Sequence, residues 1–190
     1  MPGKGMKNIK KITISAMLFA LGIVLPFLTG QIPQIGSMLL PMHLPVFLCG
    51  LICGAKYGAL VGALLPLTRS LLFGMPPMYP SALAMAFELA TYGFVSGAVY
   101  FFKNYRCLKS LFRALVSAML CGRLVWAVAM VLLMGLKGNS FTIHAFLSGA
   151  FFNAIPGIIL QFALIPAIMV ALDKTRLITF TVPAEKNADG

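Results

Sequence analysis

The chain has 190 residues, of which 60% are hydrophobic and only 10% are charged. Soluble domains carry about 25% charged residues, so this composition predicts an integral membrane protein. In such a protein the net charge of +11 is a signal of topology, and we therefore exclude nucleic acid as a partner. A spanning helix needs about 20 residues, which leaves room for one helical bundle and no separate soluble domain.

The apolar segments predict an all-α integral membrane protein with a single bundle of six transmembrane helices. We place the spans at residues 12–28, 42–53, 57–73, 81–102, 111–136 and 146–172. They form one transmembrane domain over residues 12–172, preceded by a basic leader (1–11) and followed by a polar tail (173–190). The second span is short for a bilayer. The loop before it is uncharged and rich in glycine and proline, so we expect it to dip back toward the protein.

Small residues recur at helical spacing in the first three spans. Ala16 and Ala20 lie one turn apart in the first span, and Gly50 and Gly54 form a similar pair at the second. Such pairs allow the backbone of another helix to approach closely. Spacings of four, four and three place a further set on one stripe of the third span: Gly58, Gly62, Pro66 and Arg69. We expect this stripe to face protein rather than lipid.

The distribution of lysine and arginine predicts the orientation of the bundle. Twelve of these residues lie in the leader, at Lys56, between spans four and five or at the start of span five (Arg113), and in the tail, whereas only Lys137 lies in a loop on the opposite side. Cytoplasmic loops of membrane proteins carry the excess of positive charge. Both termini are therefore predicted to be cytoplasmic.

Polar side chains within the spans are the candidate binding residues, since a charge there costs at least ~3 kcal/mol. In the predicted orientation four of them reach the outer half of the membrane: His43, Arg69, Glu88 and Asn153. Arg123 lies near mid-depth, and Trp126 lies one turn further out, where it can bind substrate or pack against lipid. Together they are expected to line a cavity that opens to the exterior and binds a small polar molecule.

Several of these residues also have purely structural explanations. Arg69 and Glu88 can form an internal salt bridge that fixes packing, which leaves Arg123 in need of a counter-charge from elsewhere or from a ligand. Asn153 can bridge two helices by a hydrogen bond, and His43 can cap a helix at the membrane interface. The charges of Arg69, Glu88 and Arg123 add to +1, which favours a ligand with a carboxylate or a phosphate.

The sequence predicts neither an enzyme nor a metal site. Cys49 and Cys53 share a helix face, but no histidine or carboxylate joins them at ligand spacing, and a disulfide framework is not expected. The spans contain one carboxylate, no metalloprotease motif and no serine placed with a histidine. No Walker sequence occurs, so the chain cannot itself use ATP, and no cofactor is predicted.

Several features together point to one family. They are the six spans, the basic cytoplasmic ends, AMLFA with Ala16 and Ala20, the irregular first exterior loop, and CGAKYGALVG between spans two and three. In these features the chain resembles the substrate-binding S component of an energy-coupling factor (ECF) vitamin transporter. The resemblance covers residues 6–181.

The resemblance implies that Ala16 and Ala20 dock a transmembrane coupling subunit that is joined to two ATP-binding subunits in a prokaryotic plasma membrane. It also implies high-affinity binding of a vitamin or related micronutrient in an outward-open pocket formed by the first loop and spans four to six. The cationic lining favours pantothenate or another carboxylate, while pyridoxine-like, cobalamin-like and modified-nucleoside ligands remain open. The alternative function is an autonomous six-span ion-coupled carrier or a membrane enzyme of unrecognised type.

Overall fold

The computed structural model describes residues 8–29, 41–102, 108–135 and 155–174, and all secondary structure in these ranges is helical. The first three helices are α1 (Asn8–Val24), which continues as a 3₁₀ turn (Leu25–Thr29), α2 (His43–Cys53) and α3 (Ala55–Phe73). A kinked segment (Met78–Ala82), in which Tyr79 has an extended backbone, then leads into α4 (Leu83–Phe102). It is followed by α5 (Leu108–Gly135) and α6 (Ile155–Lys174).

Four of the described helical segments are long and apolar enough to cross a membrane. They are Asn8–Phe27, Met78–Phe102, Leu108–Gly135 and Ile155–Lys174, while the apolar α2 is shorter. The prediction of an all-helical protein is confirmed for the described residues. Four of the six predicted spans have the length and composition of membrane helices.

The helix ends differ from the predicted ends by a few residues. α1 begins at Asn8, inside the predicted basic leader. Gly54 lies between α2 and α3 with a φ of 104°, a conformation that favours glycine. It therefore forms the turn between the two helices. The sequence suggested that Gly54 pairs with Gly50 in helix packing, and this prediction is wrong. The sixth span is described from Ile155 onward, and residues 146–154 lie outside the described ranges.

Glycine residues allow α2, α3 and α4 to pack backbone against backbone. A Cβ atom on Gly58 would lie 2.6 Å from the Cα of Gly50 and 2.6 Å from the carbonyl oxygen of Gly93. Both distances are shorter than any normal carbon contact, so a larger residue would force the helices apart. The stripe predicted to face protein does so, because each of its members is buried: Gly58, Gly62, Pro66 and Arg69.

Contacts between α1 and α2 determine where α2 begins along the length of α1. The thiol sulfur of Cys49 lies 3.4 Å from the hydroxyl of Ser15, and that of Cys53 lies 3.5 Å from the carbonyl oxygen of Lys11. At this antiparallel register His43 is level with Leu21, close to the middle of the predicted first span. α2 has only 11 residues, or about 16 Å of helix. His43, the first residue of α2, therefore lies beside the last turn of α1, which ends at Val24. Its place in the outer half of the membrane stays a prediction.

Candidate functional site

A buried cluster of polar side chains surrounds Glu88 on α4. Its carboxylate oxygen Oε1 accepts a hydrogen bond from the hydroxyl of Tyr92 at 2.7 Å and lies 3.0 Å from Nη1 of Arg123. The Nε2 atom of His43 is 4.0 Å from the same oxygen. Side chains from α2, α4 and α5 thus converge on one carboxylate. We refer to His43, Glu88, Tyr92 and Arg123 as the polar cluster.

Helical spacing and one glycine position Tyr92 within the cluster. Tyr92 follows Glu88 by four residues, so the two side chains lie on the same face of α4. On α5, a Cβ atom on Gly122 would lie 2.5 Å from Cδ1 of the Tyr92 ring. The glycine therefore leaves space for the ring, and its neighbour Arg123 reaches the carboxylate. The ring also packs against His43 and Phe47, with centroid separations of 5.3 and 5.0 Å.

The ion pair between Glu88 and Arg123 balances charge inside the bundle. Glu88 is 2% exposed and Arg123 is 8% exposed. A charge buried without its partner is strongly unfavourable, so each of these residues depends on the other. The counter-charge that the sequence required for Arg123 is thus Glu88. The pair as a whole carries no net charge.

His43 is the polar side chain in the cluster whose hydrogen-bonding capacity is unused. It is 2% exposed, and neither ring nitrogen forms a hydrogen bond within the described part of the chain. The 4.0 Å separation from Glu88 is too long for one. A buried polar atom without a partner costs about 1–3 kcal/mol. Both nitrogens of His43 are thus buried without a hydrogen-bond partner among the described residues.

Arg69 lies apart from the polar cluster and holds the end of α1 against α3. Its Nη1 donates a hydrogen bond to the carbonyl oxygen of Ile23 at 2.7 Å. Its guanidinium carbon lies 5.2 Å from the ring centroid of Phe27 and 5.4 Å from that of Phe73, within the range of cation–π contacts. Arg69 is only 3% exposed, so its packing is internal.

The salt bridge between Arg69 and Glu88, which the sequence analysis left open as an explanation, is not formed. The close approaches of Gly58 to Gly93 and of Gly62 to Leu89 define the antiparallel register of α3 and α4. At this register Glu88 is level with residue 63, six residues or about 9 Å along α3 from Arg69. Arg123 is the nearer cation and pairs with Glu88 instead.

Of the other predicted site residues, Trp126 is half-buried on α5, one turn from Arg123. Asn153 lies outside the described residues. Tyr92 was not predicted as a site residue, although its spacing of four from the buried Glu88 is a signal that would have identified it. The structure thus brings three of the six predicted residues together, namely His43, Glu88 and Arg123.

Ala16 and Ala20, predicted to dock a partner, are both exposed on α1. The residues of α1 that are buried, Ser15 and Gly22, lie on its other side, against α2 and α3. The face that carries the two alanines is thus open in the described part of the chain.

A groove of about 340 Å³ lies elsewhere, between the end of α4 and the beginning of α5. It is lined by Ala98, Val99, Phe102 and Arg113. Arg113 is ten residues from Arg123, or about 15 Å along α5. The groove is therefore separate from the polar cluster.

Comparison with models of protein families matched residues 10–172 to the ECF transporter, substrate-specific component. This match covers most of the chain and includes every member of the polar cluster. The chain belongs to this family. Comparisons with curated proteins and with solved structures gave no significant match.

Membership confirms the resemblance drawn from the sequence. A substrate-specific component is part of a transporter and not an enzyme, and it implies a small-molecule substrate and partner subunits in the membrane. The polar cluster is thus a group of buried polar side chains in a member of a family of substrate-specific components.

Proposed function

We propose that this substrate-specific component binds a vitamin or related micronutrient at the polar cluster with high affinity and takes part in its uptake through an ECF-type transporter. The observation that carries the proposal is His43, which is buried beside a charge-balanced ion pair with both ring nitrogens unpaired among the described residues. Polar side chains inside membrane helices are costly and typically mark substrate pathways.

In this proposal the six helices form one bundle within the membrane, with both termini in the cytoplasm. The excess of lysine and arginine on one side supports this orientation. Among the described residues α2 begins at His43, so this helix does not extend past the polar cluster toward the predicted exterior. That arrangement supports a pocket that opens outward and ends at the polar cluster, with Trp126 and Asn153 as further contacts to substrate.

The proposed coupling face is the side of α1 that carries Ala16 and Ala20. Both side chains are small and exposed, which allows a helix of a transmembrane coupling subunit to approach the backbone closely. The chain has no Walker sequence, so two ATP-binding subunits supply the energy through that coupling subunit.

Reconstitution tests this function. The purified chain alone is expected to retain a small molecule without transporting it. Addition of the coupling subunit and the two ATP-binding subunits to the same proteoliposomes is expected to give ATP-dependent uptake. Uptake by the chain alone, driven by an ion gradient, would contradict the proposal and favour an autonomous carrier.

A further inference from the structure

We infer that the substrate carries no net charge and presents an uncharged hydrogen-bonding group, such as an amide, a ring carbonyl or a hydroxyl, to the polar cluster. This inference rests on the proposed function of the cluster as the substrate site. It replaces the expectation of a carboxylate or phosphate that the sequence alone favoured.

Few formal charges within the predicted spans are available to a substrate. Away from the ends of the predicted spans, only Arg69, Glu88 and Arg123 carry formal charges. This count comes from the sequence and so includes the residues outside the described ranges. The first loop is uncharged, and the loops on the predicted exterior side carry one charge, Lys137, which lies outside the described ranges.

Arg69 is not available to a substrate at the polar cluster. Its guanidinium is bonded to the carbonyl oxygen of Ile23 and packed against two phenylalanine rings, and it is 3% exposed. It also lies about 9 Å along α3 from the level of Glu88. A substrate anion at the polar cluster cannot reach it. The surplus positive charge that favoured an anionic ligand is therefore not part of the site.

The remaining pair sets the charge that the site accepts. Glu88 and Arg123 neutralise each other at 3.0 Å. A carboxylate added beside them would leave one negative charge without a partner in a medium of low polarity, and an ammonium group would leave one positive charge. An uncharged group requires no further counter-charge.

The hydrogen-bonding groups of the cluster specify the substrate further. An arginine side chain has five N–H donors, and within the described residues Arg123 directs one nitrogen at Glu88. Its other donors favour an acceptor such as a carbonyl oxygen. The unpaired nitrogens of His43 offer one donor and one acceptor when the ring is neutral. An amide or a hydroxylated ring satisfies both residues at once.

One competing arrangement makes a distinct prediction. An anionic substrate would be neutralised if His43 took up a proton on binding. The titratable and charged groups that face His43 are Glu88 and Tyr92 from α4 and Arg123 from α5. Binding of an anion in this way would tighten as the pH falls, up to tenfold per pH unit, whereas binding of an uncharged substrate would not.

The test separates the small molecules of yeast extract by charge. The extract is passed at pH 7 through an anion exchanger and a cation exchanger in series, and the unretained and two retained fractions are each incubated with the detergent-solubilised full chain. Native mass spectrometry then records the added mass, and thermal unfolding records stabilisation. We expect a bound species and a raised unfolding temperature with the unretained fraction only.

Each other outcome has a separate meaning. A bound species found in either retained fraction would overturn the inference and leave the proposed function intact. Absence of a bound species from all three fractions would refute the proposed function and the inference with it. Tightening of binding by about tenfold per unit of decreasing pH would also overturn the inference.

Discussion

Replacement of Arg123 by glutamine is expected to leave the buried carboxylate of Glu88 without its counter-charge. Breaking a buried ion pair by removal of one partner costs about 3–5 kcal/mol. In a protein of this size each kcal/mol corresponds to about 2–4 °C, so the unfolding temperature should fall by about 6–20 °C. Glu88→Gln should have a similar effect, because it leaves Arg123 unpaired at 8% exposure.

The double variant Glu88→Gln/Arg123→Gln distinguishes this explanation from a general loss of packing. Because an uncharged pair needs no compensation, the double variant should regain most of the stability lost in either single variant. The assay is thermal unfolding of the ligand-free protein in detergent. Arg113→Gln, at an exposed arginine on the same helix, is the matched control and should change stability by less than about 0.5 kcal/mol. Additive losses in the double variant would refute the ion pair.

Three further predictions concern packing, docking and topology. Gly93→Ala should destabilise the protein strongly because its Cβ would overlap the backbone of Gly58. Gly135→Ala should not, since its Cβ would meet no described atom within 4 Å, and equal effects would contradict the packing described for α3 and α4. Ala16→Trp should abolish uptake by the assembled transporter while substrate binding by the isolated chain persists, and parallel loss of binding would assign this face to the pocket or the fold. A cysteine introduced at residue 138 should react with an impermeant thiol reagent outside intact cells, whereas one introduced at residue 104 should not, after subtraction of labelling at native cysteines; the reverse pattern would invert the proposed orientation.

The sequence was sufficient to predict the helices and which of their faces are buried. Long apolar segments define helices of membrane length, and a spacing of four, four and three placed Arg69 on the buried side of α3. Ala16 and Ala20 are exposed on α1, while their docking role stays a prediction. These properties depend on residues close together in the chain, which is why they could be predicted.

The pairing of charges could not be predicted, because it depends on how neighbouring helices are shifted along each other. The sequence offered Glu88 two arginines of similar character. The close contacts of Gly58 and Gly62 with α4 set the register that moves Arg69 away from Glu88. The position of His43 beside the last turn of α1 likewise follows from contacts between α2 and α1.

The most direct test of the proposed site is retention of the bound small molecule by a His43→Phe variant. A phenyl ring has a similar shape and no polar nitrogen, so the ligand-free variant should be at least as stable as the wild type. Native mass spectrometry should show one small molecule bound to the wild-type chain and to Cys49→Ala, a control at a buried residue of the same helix outside the cluster. Loss of this molecule from His43→Phe alone is the result that we predict, and full retention by His43→Phe would contradict the assignment of the polar cluster as the substrate site.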